Sequence, residues 1–179
     1  WSVSVPVPVN YRLAPPEVQY ILEDADVGIL FVEDVFQHLL ETEELGMWEQ
    51  RAICIPSDRI ETMLRPSDEL IDAAAPSEGE DSGEDEDAIL LYTGGTTGRS
   101  KGVRLTHRNV FSNGQQCTGP MKIQKSDLYL HVAPMFHSAD LLGTGYTQAG
   151  GAHAFLPVFT PPNLLSAFQD YKVTSTMLA

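Results

Sequence analysis

The chain has 179 residues, of which 42% are apolar and 20% are charged, and its 25 acidic and 11 basic side chains leave a net charge of −14. This composition is typical of a soluble globular protein that is long enough to bury a hydrophobic core. The excess of negative charge argues against duplex nucleic acid or an anionic membrane as a partner of the whole surface.

Cys54 and Cys117 lie far apart in sequence, and no CxxC or cysteine–histidine spacing indicates a zinc site. Because nothing in this spacing indicates a disulfide framework, we expect a reducing cytoplasmic location. The longest apolar run, Val27–Val32, is too short to span a membrane, so we expect no integral membrane segment. The first residues, WSVSVPVPVN, lack an initiator methionine and signal-peptide features, and the last ones, VTSTMLA, resemble a strand. We therefore expect a fragment of a longer protein.

Strand-like and helix-like segments alternate along the first part of the chain. The expected elements are a proline-interrupted strand at Val3–Val9, a helix from Pro15, a strand buried on both faces at Val27–Val32, a helix at about 34–45 and a strand at Ala52–Ile55. Such alternation favours an α/β fold with mainly parallel sheets.

The segment Pro76–Asp87, PSEGEDSGEDED, contains seven acidic residues and no apolar side chain. A solvated loop is the expected structure, because the segment lacks the ligand order of an EF-hand calcium loop. The loop separates a first strand–helix part (residues 1–75) from a loop strand with its helix (88–125) and from the start of a second sheet layer (126–179).

Regular elements resume after the acidic segment. The expected elements are strands at Ala88–Thr93 and Val103–Leu105, a helix from a Thr106 cap to about Cys117, a strand at Leu128–Ala133, a helix from His137 or Ser138 to about Ala149, a strand at Ala152–Pro157, a helix at Pro161–Tyr171 and a strand at Val173–Leu178.

The stretch Tyr92–Asn109, YTGGTTGRSKGVRLTHRN, gathers three glycines, four Ser and Thr hydroxyls and two cations within its first ten residues. Glycines let backbone N–H groups approach a phosphate, and a lysine adds a compact positive charge. Lys101 is misplaced for a Walker A loop, and the glycine spacing of a dinucleotide-binding turn is absent. Composition alone leaves two interpretations open, a structural turn and another kind of phosphate loop.

The longer stretch LLYTGGTTGRSKGVRLTHRNV resembles the signature loop of the adenylate-forming superfamily, which includes acyl-CoA synthetases, aryl-CoA ligases, luciferases and the adenylation domains of peptide synthetases. Gly94 stands where this family usually has serine, and Ser100 where it usually has proline. Val9–Phe31 and Ala133–Leu141 are similar to segments before and after that loop. Together the motifs look most like bacterial fatty-acyl-CoA ligases, and they imply part of the large N-terminal domain.

The resemblance implies that the loop closes over the β- and γ-phosphates of ATP. Lys101 would be catalytic, because it would stabilise charge on the departing pyrophosphate, with Mg²⁺ sharing that task. Arg99 stands at a variable position of the family and is expected to be exposed. The implied ATP-binding residues are Thr93, Gly94, Gly95, Thr96, Thr97, Gly98 and Lys101.

His137 lies in PMFH, which resembles the family position beside the carboxylate of the substrate, so the resemblance implies substrate binding. We expect Phe136 to pack in the core, and His107 and Asn109 to lie in the first turn of a capped helix. The sequence identifies no metal ligand, and it identifies no partner for three further histidines, His38, His131 and His153.

The implied function of the longer protein is ATP-dependent activation of a carboxylic acid, most similar to a fatty acid, to acyl-AMP, followed by transfer to coenzyme A. An acyl-carrier protein as acceptor and a non-catalytic nucleotide-binding module remain alternatives. The motifs that contact adenine and ribose in this family, and its C-terminal domain, do not occur in these residues. We therefore expect the 179 residues alone to be inactive; acid-dependent AMP formation by them would contradict this.

Overall fold

The computed structural model describes residues 4–57, 64–76, 79, 81–94 and 98–178. The chain divides into two compact units. The first unit comprises Val9–Glu80 and Gly94–Gly102, and the second comprises Trp1–Pro8, Asp81–Thr93 and Val103–Ala179. The four-part division expected from sequence stays a prediction.

The first unit contains a parallel three-stranded sheet in the order β1-β2-β3, with Leu30 of β1 opposite Ala52 of β2. Two 3₁₀ helices, Asp34–Glu41 and Gly46–Arg51, follow β1. The other elements are α1 (Pro15–Asp24), β1 (Leu30–Glu33), β2 (Ala52–Ile55), β3 (Arg65–Pro66) and α2 (Ser67–Ala73).

Helix α1 begins where its sequence predicts. Pro15 occupies its first position, where no N–H is needed, and the Glu17 carboxylate accepts the Ala14 N–H at 2.9 Å. Its apolar face, through Val18 and Leu22, packs in the core of the first unit. The buried members of this core are Val18, Leu22, Leu40, Leu45, Trp48 and Ala52.

Several expectations for this part of the chain are wrong. The strand predicted at Val27–Val32 begins only at Leu30, and its Phe31 side chain is 59% exposed, so β1 is not buried on both faces. The helix predicted from Asp34 is a 3₁₀ helix that ends at Glu41, and neither β3 nor α2 was predicted.

The strand predicted at Val3–Val9 is also wrong: residues 4–10 form no regular element, and Val3 lies outside the described part of the chain. Two prolines explain this, since Pro6 and Pro8 have no N–H to donate to a neighbouring strand. Within the second unit, the Pro6 carbonyl still accepts the Leu90 N–H at 3.1 Å.

The second unit contains a parallel sheet in the order β7-β6-β8, and a separate pair is formed by β4 and β5. Tyr129 of β6 lies opposite both His153 and Ser175. The elements are β4 (Asp87–Thr93), β5 (Lys101–Thr106, whose first two residues belong to the first unit), α3 (His107–Thr118), β6 (Leu128–His131), α4 (Gly143–Ala149), β7 (Ala152–Phe155), α5 (Pro161–Tyr171) and β8 (Ser175–Thr176).

Strand β6 is buried on both faces, as expected for the central strand of a parallel sheet. Alternate residues of a strand point to opposite faces. Tyr129 packs with Ile123 and with Tyr146 of α4, whereas Leu130 packs with Ala167 of α5 and with Val173. The sheet therefore has a Tyr129 face and a Leu130 face, each with its own hydrophobic cluster.

The elements of the second unit agree with the expected α/β alternation, although some boundaries differ. The helix predicted from His137 or Ser138 to Ala149 consists of a 3₁₀ helix, Ser138–Leu142, followed by α4. The strand predicted at Val173–Leu178 is reduced to the two residues of β8.

Cys54 and Cys117 are both free thiols. Among the described residues, no helix combines the length and the apolar character needed to cross a membrane.

The Thr106 cap of α3 gives a first testable prediction. Its hydroxyl accepts the Asn109 N–H at 3.2 Å, and its own N–H donates to the Asn109 side chain at 3.0 Å. Thr106→Ala should lower the free energy of unfolding by about 1 kcal/mol in urea denaturation, whereas Thr106→Ser should retain most of the stability. An alanine variant as stable as the unmodified protein would contradict the capping role.

Candidate functional site

The glycine-rich loop, residues 93–101, connects the end of β4 to the start of β5. Thr93 is the last residue of β4, Lys101 is the first of β5, and both are exposed. Gly94 and Gly98 are exposed between them. The remaining members of the predicted phosphate-binding set lie outside the described residues: Gly95, Thr96 and Thr97.

The two described glycines of the loop differ in what they require. Gly98 has φ +154°, a backbone conformation that residues with a side chain rarely adopt, so glycine is needed there. At Gly94, a Cβ atom would meet no heavy atom within 4 Å. The serine that is usual at this position in the resembled family would therefore fit without a clash.

Tyr20 of α1 holds the second half of the loop. Its hydroxyl donates to the Ser100 carbonyl at 3.2 Å, and the Arg99 guanidinium lies over its ring at 5.1 Å from the centroid. Arg99 is exposed, as predicted from sequence, but its contact with Tyr20 was missed. Tyr20 and Ser100 are 80 positions apart, and no local pattern links residues at that separation.

The acidic segment before β4 contacts the start of α3. Arg108 forms ion pairs with Glu84 at 2.7 Å and Asp85 at 3.0 Å, and the His107 N–H donates to the Glu86 carbonyl at 3.0 Å. The hydrogen bond from Arg108, and then its charge, lower the pKa of Asp85. Carboxylates beside a helix N-terminus are favourable. The end of the predicted solvated loop is thus held by α3.

The histidine and asparagine of the THRN sequence have the structural role that was expected. His107 is the first residue of α3, and Asn109 completes the capping box with Thr106. Asn109 therefore needs no role in ligand binding to account for it, whereas the buried Nε2 of His107 has no hydrogen-bond partner among the described residues.

The PMFH turn, residues 134–142, follows β6 at the surface and contains the predicted substrate contact. His137 is exposed, and its Nδ1 accepts the Ala139 N–H at 3.1 Å. A neutral imidazole that accepts through Nδ1 carries its proton on Nε2, so His137 offers a donor at Nε2. Phe136 is half-buried, so the expectation that it is a core residue is wrong. The neighbouring Met135 is 56% exposed.

A chain of polar side chains lies beneath the PMFH turn, on the Tyr129 face of the sheet. His131 Nδ1 is 2.6 Å from an Asp140 carboxylate oxygen, and His131 Nε2 is 2.8 Å from His153 Nδ1. His153 Nε2 is 3.0 Å from the Thr147 hydroxyl. Sequence reasoning assigned no partner to either histidine, because their contact depends on the register between β6 and β7.

Burial on this face changes the acid–base properties of two side chains. Burial and the neighbouring His131 lower the pKa of His153, whereas the Asp140 carboxylate acts in the opposite direction. Burial raises the pKa of Tyr129 to about 12, and the Asp140 carboxylate and Tyr146 add to the effect. Both groups are thus favoured in their neutral forms near neutral pH.

Comparison with known protein families identifies the family of the chain. A family model described as AMP-binding enzyme matches residues 3–179. The chain belongs to the AMP-binding enzyme family. Membership agrees with the resemblance of the loop to adenylate-forming enzymes.

Individual relatives within the family are similar over nearly all of this chain. A malonate–CoA ligase of Xenopus laevis is 28% identical over 98% of the chain and 30% of its own length. A long-chain-fatty-acid–CoA ligase of Mycobacterium tuberculosis is 30% identical over 95% of the chain and 33% of its own length. The chain thus spans about a third of the length of these curated relatives.

Solved structures support the fold. The crystal structure of ATP-bound MatB from Rhodopseudomonas palustris superposes with a TM-score of 0.80 and 26% identity, covering 97% of this chain and 34% of that one. The α/β architecture with parallel sheets is therefore that of adenylate-forming enzymes, of whose N-terminal domain the chain forms part.

The Tyr20 contact gives a prediction about the loop. Tyr20→Phe removes the hydroxyl bond to Ser100 but keeps a ring beneath Arg99, so cleavage by trypsin after Arg99 should become about fivefold faster. Tyr171→Phe, an exposed tyrosine on α5, serves as the matched control and should not change the rate. Equal cleavage rates for Tyr20→Phe and the unmodified protein would show that Tyr20 does not hold the loop.

Proposed function

We propose that the complete protein activates a carboxylic acid with ATP and transfers the acyl group to coenzyme A. The observation that carries the proposal is the glycine-rich loop with Lys101, between two paired strands of a chain that belongs to the AMP-binding enzyme family. The names of the relatives support it, since two of them are CoA ligases and one related structure contains ATP.

The reaction consists of two substitutions. A carboxylate oxygen of the acid attacks the α-phosphorus of ATP, and the bond to pyrophosphate breaks, which gives acyl-AMP. The sulfur of the coenzyme A thiolate then attacks the acyl carbonyl carbon, and the bond to AMP breaks. The first step needs no base to activate its nucleophile, because the carboxylate already carries its charge. The thiol of coenzyme A must lose its proton before it attacks in the second step.

Negative charge accumulates on the departing pyrophosphate in the first step. In the proposed complex, backbone N–H groups at Gly94, Gly95 and Gly98, and hydroxyls of Thr93, Thr96 and Thr97, donate to the β- and γ-phosphates. The exposed ammonium of Lys101 neutralises the charge that develops there.

Mg²⁺ is the metal that such phosphates require, and it would spread their charge when bound. Across the described residues, no group of three or more His, Cys, Asp and Glu side chains is arranged to hold a metal ion. Mg²⁺ prefers oxygen ligands, and the hydroxyls of the loop and the phosphates of ATP would provide them.

His137 is the proposed contact of the acid. Because Nδ1 accepts the Ala139 N–H, Nε2–H is available as a donor to an oxygen of the carboxylate or of the acyl phosphate. We assign it to substrate binding rather than to proton transfer, since a carboxylate nucleophile has no proton to lose. A fatty acid is the proposed acid, on the resemblance of the three motifs to fatty-acyl-CoA ligases.

Lys101 distinguishes catalysis from simple nucleotide binding. In the complete protein, Lys101→Ala should lower kcat for acid-dependent AMP formation by about 10²–10³. Lys125→Ala, which removes an exposed lysine of the second unit, is the matched control and should retain activity. Unchanged turnover in Lys101→Ala would rule out the catalytic role, and ATP binding without acid-dependent AMP in the unmodified protein would favour a non-catalytic nucleotide-binding module.

Gly94 tests whether the loop contacts phosphate. Gly94→Ser should lower the Kd for ATP up to about tenfold, because a hydroxyl placed in open space gains a hydrogen bond to a charged oxygen. Gly94→Ala adds the same Cβ without a donor and should bind ATP like the unmodified protein. Weaker ATP binding by the serine variant than by the alanine variant would contradict the proposed phosphate contact.

A further inference from the structure

The strongest unassigned feature of the described residues is the pair formed by Asp140 of the PMFH turn and His131 at the end of β6. The carboxylate of Asp140 is 11% exposed and the imidazole of His131 is 8% exposed, and their atoms approach to 2.6 Å. A buried carboxylate is costly unless it is bonded, and this short bond satisfies it. The chain of contacts continues from His131 to His153 and Thr147.

The bond between Asp140 and His131 does not depend on the charge of the imidazole. When His131 is neutral, its Nδ1–H donates to Asp140, and its Nε2 accepts from the Nδ1–H of His153. When His131 is protonated, Nδ1–H still donates to Asp140, and Nε2–H donates to His153 instead. Both arrangements give every imidazole nitrogen a partner, with the Thr147 hydroxyl donating or accepting as required.

The position of the His131 ring is fixed by its surroundings. Phe155 stacks on it at 4.6 Å between centroids with an angle of 12° between the planes. Gly143 lies so close that a Cβ there would be 2.8 Å from Cε1 of His131. A ring confined in this way provides a rigid attachment point for Asp140.

Asp140 connects this attachment point to His137. The Asp140 N–H donates to the His137 carbonyl at 3.0 Å, and the neighbouring Ala139 N–H donates to the His137 imidazole at 3.1 Å. The 3₁₀ helix Ser138–Leu142 has no fully buried side chain of its own. Leu142, its last residue, packs against the cluster of Ile123, Tyr129 and Tyr146, and the carboxylate of Asp140 is the polar contact of the helix with the sheet.

We propose that Asp140 and His131 are positioning residues that hold His137 in the orientation needed to bind the carboxylic acid substrate. The inference rests on the proposed function, in which His137 contacts the acid. Asp140 and His131 do not touch substrate themselves; they act through the position of the PMFH turn.

A double-mutant cycle in the complete protein tests the coupling. Asp140→Ala should raise KM for the acid about tenfold, because small displacements of a binding group cost this much or more, and should leave KM for ATP within about twofold. Asp140→Asn, whose amide oxygen can still accept from His131, should restore most of the lost affinity. In a His137→Ala background, Asp140→Ala should add no further increase in KM for the acid.

The control for loss of stability is Asp127→Ala. The Asp127 carboxylate accepts the Gln124 N–H at 2.7 Å, in a turn of the same unit outside residues 134–142. It should leave KM for the acid unchanged. A full additional effect of Asp140→Ala in the His137→Ala background, or equal changes in KM for acid and for ATP, would overturn the positioning role.

A second measurement does not depend on turnover. In the ¹H–¹⁵N spectrum of the complete protein labelled in its histidine rings, Asp140→Ala should shift the signals of His131 and His137 but not that of His38, which lies in the first unit. Unchanged His137 signals would overturn the inference even if the enzyme is active. If the unmodified protein activates no acid, the proposed function fails, and this spectrum still decides whether Asp140 positions His137.

Discussion

Parallel pairing of short strands is the constraint on which both compact units depend. Neighbouring parallel strands end at the same edge of a sheet, so polar residues at their carboxyl ends meet. In the first unit, the buried Asp34 follows β1 and accepts the Ser57 N–H, beyond the end of β2, at 2.8 Å. In the second unit, His131 ends β6 and stacks on Phe155, which ends β7. The PMFH turn begins at that edge.

The glycine-rich loop and the PMFH turn are each held within their own unit in a different way. The glycine-rich loop depends on backbone freedom at Gly98, and Tyr20 holds its second half through the Ser100 carbonyl. The PMFH turn depends on a buried hydrogen bond between Asp140 and His131. A loop that turns at a glycine allows backbone N–H groups to approach phosphates, whereas a turn held by a buried hydrogen bond suits the orientation of a small carboxylate.

Local patterns in the sequence predicted the structures that depend on local contacts. The Thr106 cap, the prolines at the start of α5 and strand β4 all appear where they were expected, although only Ala88 and Leu91 of β4 are buried. The contact of His131 with His153 could not be predicted, because it requires the register of two strands 22 positions apart. The contact between Tyr20 and Ser100 was missed because the two residues are 80 positions apart and no local pattern links them. The proline-rich start failed as a strand because β-branched residues cannot replace missing N–H donors.

We propose above that the complete protein adenylates a carboxylic acid. Carboxylate-dependent exchange of labelled pyrophosphate into ATP measures this half-reaction most directly, because it requires no acceptor thiol. Short, medium and long fatty acids and one aryl acid should be compared under the same conditions. We expect exchange that depends on added acid and is strongest with a fatty acid. Folded protein that binds ATP but catalyses no exchange with any of these acids would contradict it.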